Sequence, residues 1–153
     1  MKTVADPEVR RSLIERLGAL QADSRRRWGT LTSHEMLCHL GDAAAMVLGF
    51  RPRKVPVRLR RRPIFKWLGL WTAIPWPHGV PTNPLHDPKA EGTKPSDFAA
   101  QDLARVIAGI EGIAAAAPNT LDPGHGYFGT MSLADWQRWA YRHTDHHLRQ
   151  FGL

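Results

Sequence analysis

Nine prolines fall between positions 52 and 95 of this chain, at 52, 56, 63, 75, 77, 81, 84, 88 and 95. Each one removes a backbone donor and locks φ, so no long helix survives that density. A short helix over Ile64–Ala73 is the most the segment permits. Arg51 to Lys94 also carries Phe65, Trp67, Trp71 and Trp76. It therefore reads as a long crossover that packs its aromatics onto the rest of the molecule and partly covers one end, as structured long loops over functional sites do.

The flanking sequence is helical by pattern. Asp6-Pro7-Glu8 supplies an N-cap, a proline at N1 and an acid at the positive helix end. Val9, Leu13, Leu17 and Leu20 then recur at helical spacing. Thr32 with Glu35 is a capping box. It opens a second helix with Met36, Leu40, Ala43 and Val47 on its apolar face, ending near Gly49. A third helix is expected from Ser96 to about Ala116, with Phe98, Leu103, Val106, Ile107, Ile110 and Ile113 as its stripe. The turn-rich loop from Asn119 to Met131 contains Asp122-Pro123-Gly124 and His125-Gly126. A fourth helix starts at Ser132, where Asp135 completes a weaker capping box, and runs to Gln150 before Gly152. Four amphipathic helices with one long second connection predict an all-α four-helix bundle.

With 153 residues the chain reads as one domain, and 42% apolar with 23% charged residues is ordinary for a soluble globular protein. A single cysteine, Cys38, rules out an intrachain disulfide, and the charged N-terminus lacks a secretory pattern, so a cytoplasmic protein is expected. The apolar stretch Pro63–Pro77 is too short and broken to span a bilayer, and no membrane is expected as a partner. The formal charge of +7 is local. Arg51 to Lys66 holds eight basic residues and no acid, leaving the remainder near neutral. Such a run binds phosphates of nucleic acid, an anionic membrane or an acidic substrate, or is simply solvated. No nucleic-acid motif accompanies it, which argues against that partner.

The chemistry-bearing residues lie in Arg142-His143-Thr144-Asp145-His146-His147. His143 and His147, four apart, share one helical face with Trp136 and Ala140, in the stripe where a helix normally buries leucine. Two imidazoles so placed can bind one divalent metal. Left without one, they bring up to four ring nitrogens into the core in need of partners. Arg142, Asp145 and Arg149 fall on the opposite side, and His146 sits at the edge beside Trp139. On the second helix His39 lies at the margin of the apolar face; alone it would read first as a hydrogen-bonded core histidine, with ligation as the alternative. Asp42, three residues on, is placed to orient its outer ring nitrogen. His34 and Cys38 project away from the apolar face and are poor ligand candidates. His125 reads as a loop residue first and an active-site residue second, while His78 and His86 give no geometric argument.

The combination of Leu37-Cys38-His39-Leu40 with His143-x-x-x-His147 and Gln150 resembles the DinB-like superfamily of metal-binding four-helix bundles. Trp28-Gly29-Thr30-Leu31-Thr32, Pro75-Trp76-Pro77, Gly92-Thr93-Lys94-Pro95 with Phe98, His125-Gly126-Tyr127-Phe128-Gly129 and the ending His143 to Gly152 are similar to one branch of it without an assigned function. The chain departs from that branch at Gly126, where proline is expected. The resemblance implies a single DinB-like domain over residues 1–153 and metal ligands at His39, His143 and His147. It also implies an open coordination position, and a homodimer as the assembly. An all-imidazole set suits zinc or nickel, with iron and manganese as further options. The expected function is a small metalloenzyme that activates water or a low-molecular-weight thiol, as a metal-dependent hydrolase or thiol transferase acting on a small-molecule substrate. Asp42 and Gln150 would support the ligands, and His125 and His146 are the candidate general bases. The alternative is a non-catalytic metal- or anion-binding stress-response module using Arg51–Lys66, on nucleic acid for instance. A third reading keeps the histidines purely structural.

Overall fold

The computed structural model describes residues 1–51 and 63–153. Six of the eight basic residues of the Arg51–Lys66 run, from Arg53 to Arg62, therefore lie outside the described residues. The described chain is mostly helical. Its helices are α1 (Pro7–Gly18), α2 (Ser33–Val47), α3 (Pro63–Trp71), α4 (Ala104–Ala115) and α5 (Leu133–Gln150). A short antiparallel pair, β1 (Gly124–His125) and β2 (Gly129–Thr130), closes the loop before α5.

The expected caps form. Asp6 Oδ1 accepts from the amides of Glu8 and Val9 at 2.9 and 3.3 Å. At α2, the Glu35 amide donates to Thr32 Oγ1 at 3.1 Å and the Thr32 amide to Glu35 Oε2 at 2.8 Å. At α5, Ser132 and Asp135 reciprocate at 3.2 and 3.0 Å. Each box satisfies donors that a helix start otherwise leaves orphaned. Gly49 and Gly152 follow α2 and α5 at φ of 77° and 85°, the left-handed turn that ends a helix.

α2 is the most enclosed element, touching α4, α5, the short turn Pro84–His86 and the turn Phe98–Leu103 that leads into α4. Its closest neighbour is α4, because Gly109 faces Ala44 and leaves no room for a β-carbon between them. α5 packs on α1, α2, α3 and α4. The core is built from Leu13, Leu17, Met36, Leu37, Val47, Val106, Ile113, Trp136 and Leu148, all essentially without exposed surface.

Two expectations need correcting. The helix expected from Ser96 begins instead as a π-turn over Phe98–Leu103, closed by the Asp102 amide on the Asp97 carbonyl at 2.9 Å. That wider turn lets buried Asp102 accept from the Ser96 amide at 3.0 Å and meet His34 Nε2 at 2.6 Å. His34 and Cys38 stay out of the histidine cluster as expected, but because α2 has neighbours on nearly every side Cys38 is still fully buried and His34 half-buried. Finally, only part of the aromatic set packs inward. Trp71 and Trp76 do, while Phe65 and Trp67 are exposed.

A three-histidine candidate metal centre

α2 and α5 bring His39, His143 and His147 together, with one ring nitrogen from each lying within 4.8 Å of the others. His39 Nε2 and His143 Nε2 are 3.0 Å apart across 104 residues of sequence. His39 is buried; His143 and His147 are half-buried, so the cluster is not sealed from solvent. A metal ion is able to occupy such a group. Two nitrogens each about 2.0–2.1 Å from one tetrahedral zinc lie about 3.3 Å apart, close to the separation seen.

Backbone carbonyls fix which nitrogen of two rings carries the proton. Gln150 Nε2 donates to the Trp28 carbonyl at 2.8 Å, which turns its oxygen toward His147 Nδ1 at 2.9 Å. An amide oxygen only accepts, so His147 must donate from Nδ1 and present an Nε2 lone pair. His39 Nδ1 likewise faces the His86 carbonyl at 3.0 Å and must donate to it. Its Nε2 lone pair is then directed at His143. Two rings with Nε2 lone pairs and a third imidazole, with one nitrogen of each within 4.8 Å of the others, is the donor chemistry of a divalent cation site. Burial holds all three imidazoles below their ordinary pKa, His143 and His147 most strongly. The neighbouring imidazoles add to the effect at His143 and His147. Neutral rings are the ligating form.

Gln150 stands where the sequence placed it, against His147. Asp42 does not. Its carboxylate accepts from the Thr93 amide at 2.7 Å and hydroxyl at 2.6 Å, and pairs with Arg105 at 2.9 Å and with Arg51. Burial alone would raise its pKa, but these donors hold it below the usual carboxylate value. Asp42 acts on His39 only through space, and the ring is oriented by His86 instead. Cys38 is no ligand: burial first, then the Asp102 carboxylate, pushes its thiol up to about 12.

Aromatic rings wall the cluster. Trp139 lies 4.6 Å from His143, and Trp76 lies 6.1 Å from it. His146 sits 5.3 Å from His147 and meets Trp28, Trp76 and His78 at about 6 Å each, rather than Trp139 as the wheel suggested. His78 stacks on Trp28 at 4.1 Å. His125 stays in the hairpin, where its Nδ1 accepts from the Tyr127 amide at 3.1 Å and its ring stacks on Phe128. It meets Trp139, which in turn lies against His143. The contributions missed from sequence are the carbonyls of His86 and Trp28 and the ring of His78. Carbonyls carry no side-chain signal; Asn83-Pro84, which caps the short turn holding His86, was the available hint.

No helix among the described residues is long and apolar enough to cross a membrane. No match was found among curated proteins or among solved structures. Residues 9–152 match a protein family of unknown function, DUF1569, and the chain belongs to that family.

Proposed function

We propose that this chain is a metal-binding protein of the DinB-like type, a four-helix bundle of α1, α2, α4 and α5, acting as a small metalloenzyme at His39, His143 and His147. The carrying observation is that one ring nitrogen from each of the three histidines lies within 4.8 Å of the others, while the bonds at Nδ1 of His39 and His147 leave the Nε2 lone pairs of both rings available to a ligand. The contacts of α5 with α1, α2 and α4, and of α2 with α4, support the bundle reading. Three neutral imidazoles favour zinc or nickel and leave a coordination position for substrate or water. A divalent cation held there supplies a lowered pKa to a bound water or thiol and stabilises the resulting anion. The chain's own part is orientation and enclosure: Gln150 and the His86 carbonyl fix the rings, and Trp76 and Trp139 shield one side. His146, beside His147 and open to the Trp28–His78 stack, is the residue placed to exchange a proton with a bound nucleophile.

Elemental analysis of protein purified without added metal tests the site. About one zinc or nickel per chain is expected in the wild type and a large loss in His143→Ala. Equal, substoichiometric metal in both sinks the reading. Thiol- or ester-dependent turnover that disappears in His147→Ala separates an enzyme from a binding module.

A further inference from the structure

The helix α3 is built inside out, and it leads into a strap, residues 72–78, that lies against the histidine cluster. Its single charged residue, Lys66, points into the molecule, where Nζ pairs with buried Asp135 at 2.7 Å and donates to the Thr130 carbonyl at 2.9 Å. Leu70 is fully buried, and Trp71 Nε1 donates to the same Asp135 at 2.9 Å, which leaves Ile64, Phe65 and Trp67 exposed. Arg138 Nε donates to the Leu70 carbonyl at 2.6 Å. One turn further along α5, Arg142 spreads its terminal nitrogens over the carbonyls of Thr72 and Ile74. Its guanidinium also lies over the Trp76 ring, 5.6 Å from the centroid. Prolines at 75 and 77 fix φ on either side of Trp76, and its Nε1 donates back to the Gly69 carbonyl at 2.7 Å. The Trp76 ring is thus restrained at its edge, its face and its backbone.

That ring lies 6.1 Å from His143 and 5.9 Å from His146. His146 in turn meets Trp28 at 6.1 Å and His78 at 6.0 Å, and those two stack at 4.1 Å. Aromatic rings with centroids about 4.5–7 Å apart are in contact, so no gap of a ring's width separates these neighbours. We propose that Trp76 sets the size of the ligand that reaches the metal centre, and that Arg142 is the positioning residue that keeps it there. The inference rests on the reading of His39, His143 and His147 as metal ligands. The substrate class so selected is compact: a metal-binding head on a short aliphatic group enters, while one bearing an aromatic ring needs the space Trp76 occupies. Packing alone accounts for the contact of Trp76 with Phe128 at 6.1 Å. It does not account for Arg142, which lies three residues before Asp145, at ordinary helical pairing distance. Asp145 pairs instead with Arg16 at 2.7 Å and Arg149 at 2.9 Å, and Arg142 turns to the strap.

The test loads the full chain with equimolar cobalt(II) and titrates it with acetohydroxamate and benzohydroxamate, read by visible absorption. The two probes share a metal-binding head and differ in a methyl against a phenyl group. The wild type is expected to bind acetohydroxamate at least ~10-fold more tightly. Trp76→Ala should tighten benzohydroxamate at least ~10-fold and leave acetohydroxamate within about twofold. Trp76→Phe, a milder change that keeps an aromatic ring, should fall between. Arg142→Gln should shift the ratio the same way with Trp76 still present. Arg142→Lys, which cannot fork across two carbonyls, should restore it only in part. If the wild type acquires no bound-cobalt spectrum, or the same one as His143→Ala, the metal reading fails and takes the inference with it. If it loads cobalt but does not favour acetohydroxamate, or if the ratio is unmoved in both Trp76 variants, the size filter alone is overturned. A ratio unmoved in Arg142→Gln overturns the positioning role.

Discussion

At the scale of single residues, a ligand's usefulness is decided by its other nitrogen. Gln150 sets the His147 tautomer while being held by the Trp28 carbonyl, so Gln150→Leu should lower metal affinity about 10–100-fold with little change in helical content. Chelator competition measures this. His86 makes the complementary case. Its carbonyl, not its side chain, orients His39, so His86→Ala should retain metal affinity within a few-fold even though it disturbs packing near Met46. A loss as large as that of Gln150→Leu would contradict the assigned tautomer. That His39, His143 and His147 come together was legible in the sequence because a helical wheel reports which side chains turn toward a core. Asp42 was misread for the same reason: the wheel knows its own helix only, and Thr93, Arg51 and Arg105 from other segments had claimed the carboxylate.

At the scale of elements, the sequence was most informative where a helix begins. Asp6, Thr32 and Ser132 all cap as their spacing indicates, since capping is decided within four residues. Thr32→Ala and Ser132→Ala should each cost about 1 kcal/mol in urea unfolding. The π-turn was not legible, because it depends on Asp102 finding His34 on another element. The inverted face of α3 was hidden for a similar reason. Pattern alone gives an apolar helix, whereas the choice of inner side comes from Asp135, which takes Lys66, Trp71 and the Ser132 amide together. Although burial would raise the Asp135 carboxyl, those donors hold its pKa below the ordinary value. Asp135→Ala removes the Lys66 and Trp71 ties, leaving the Arg138 bond to the Leu70 carbonyl, and should cost about 3 kcal/mol. Faster proteolysis within residues 63–76 should accompany the loss. Unchanged protection there would show that burial of Leu70 and the Arg138 and Arg142 bonds suffice to hold the helix.

At the scale of the whole molecule, the proposed metal would compete with protons for the same three rings. Their pKa values are lowered in the folded state, so near pH 6 the unfolded chain binds more protons than the folded one. Stability of chelator-treated protein is therefore full above the unfolded imidazole value of about 6.5 and falls as the pH drops through it. Urea midpoints measured across that range should show the decline, and His143→Leu should flatten it. Restoring metal at about 100 times its dissociation constant should add roughly 2.7 kcal/mol at neutral pH. The bonds that prepare the centre span 47, 104 and 122 residues. Contacts that distant close late as a chain collapses. A growing polypeptide that has not yet reached Gln150 has none of the tie between residues 28 and 150. A cation that needs all three rings would therefore be gripped at full strength only by a chain that has finished folding, so tight metal retention would report completed folding.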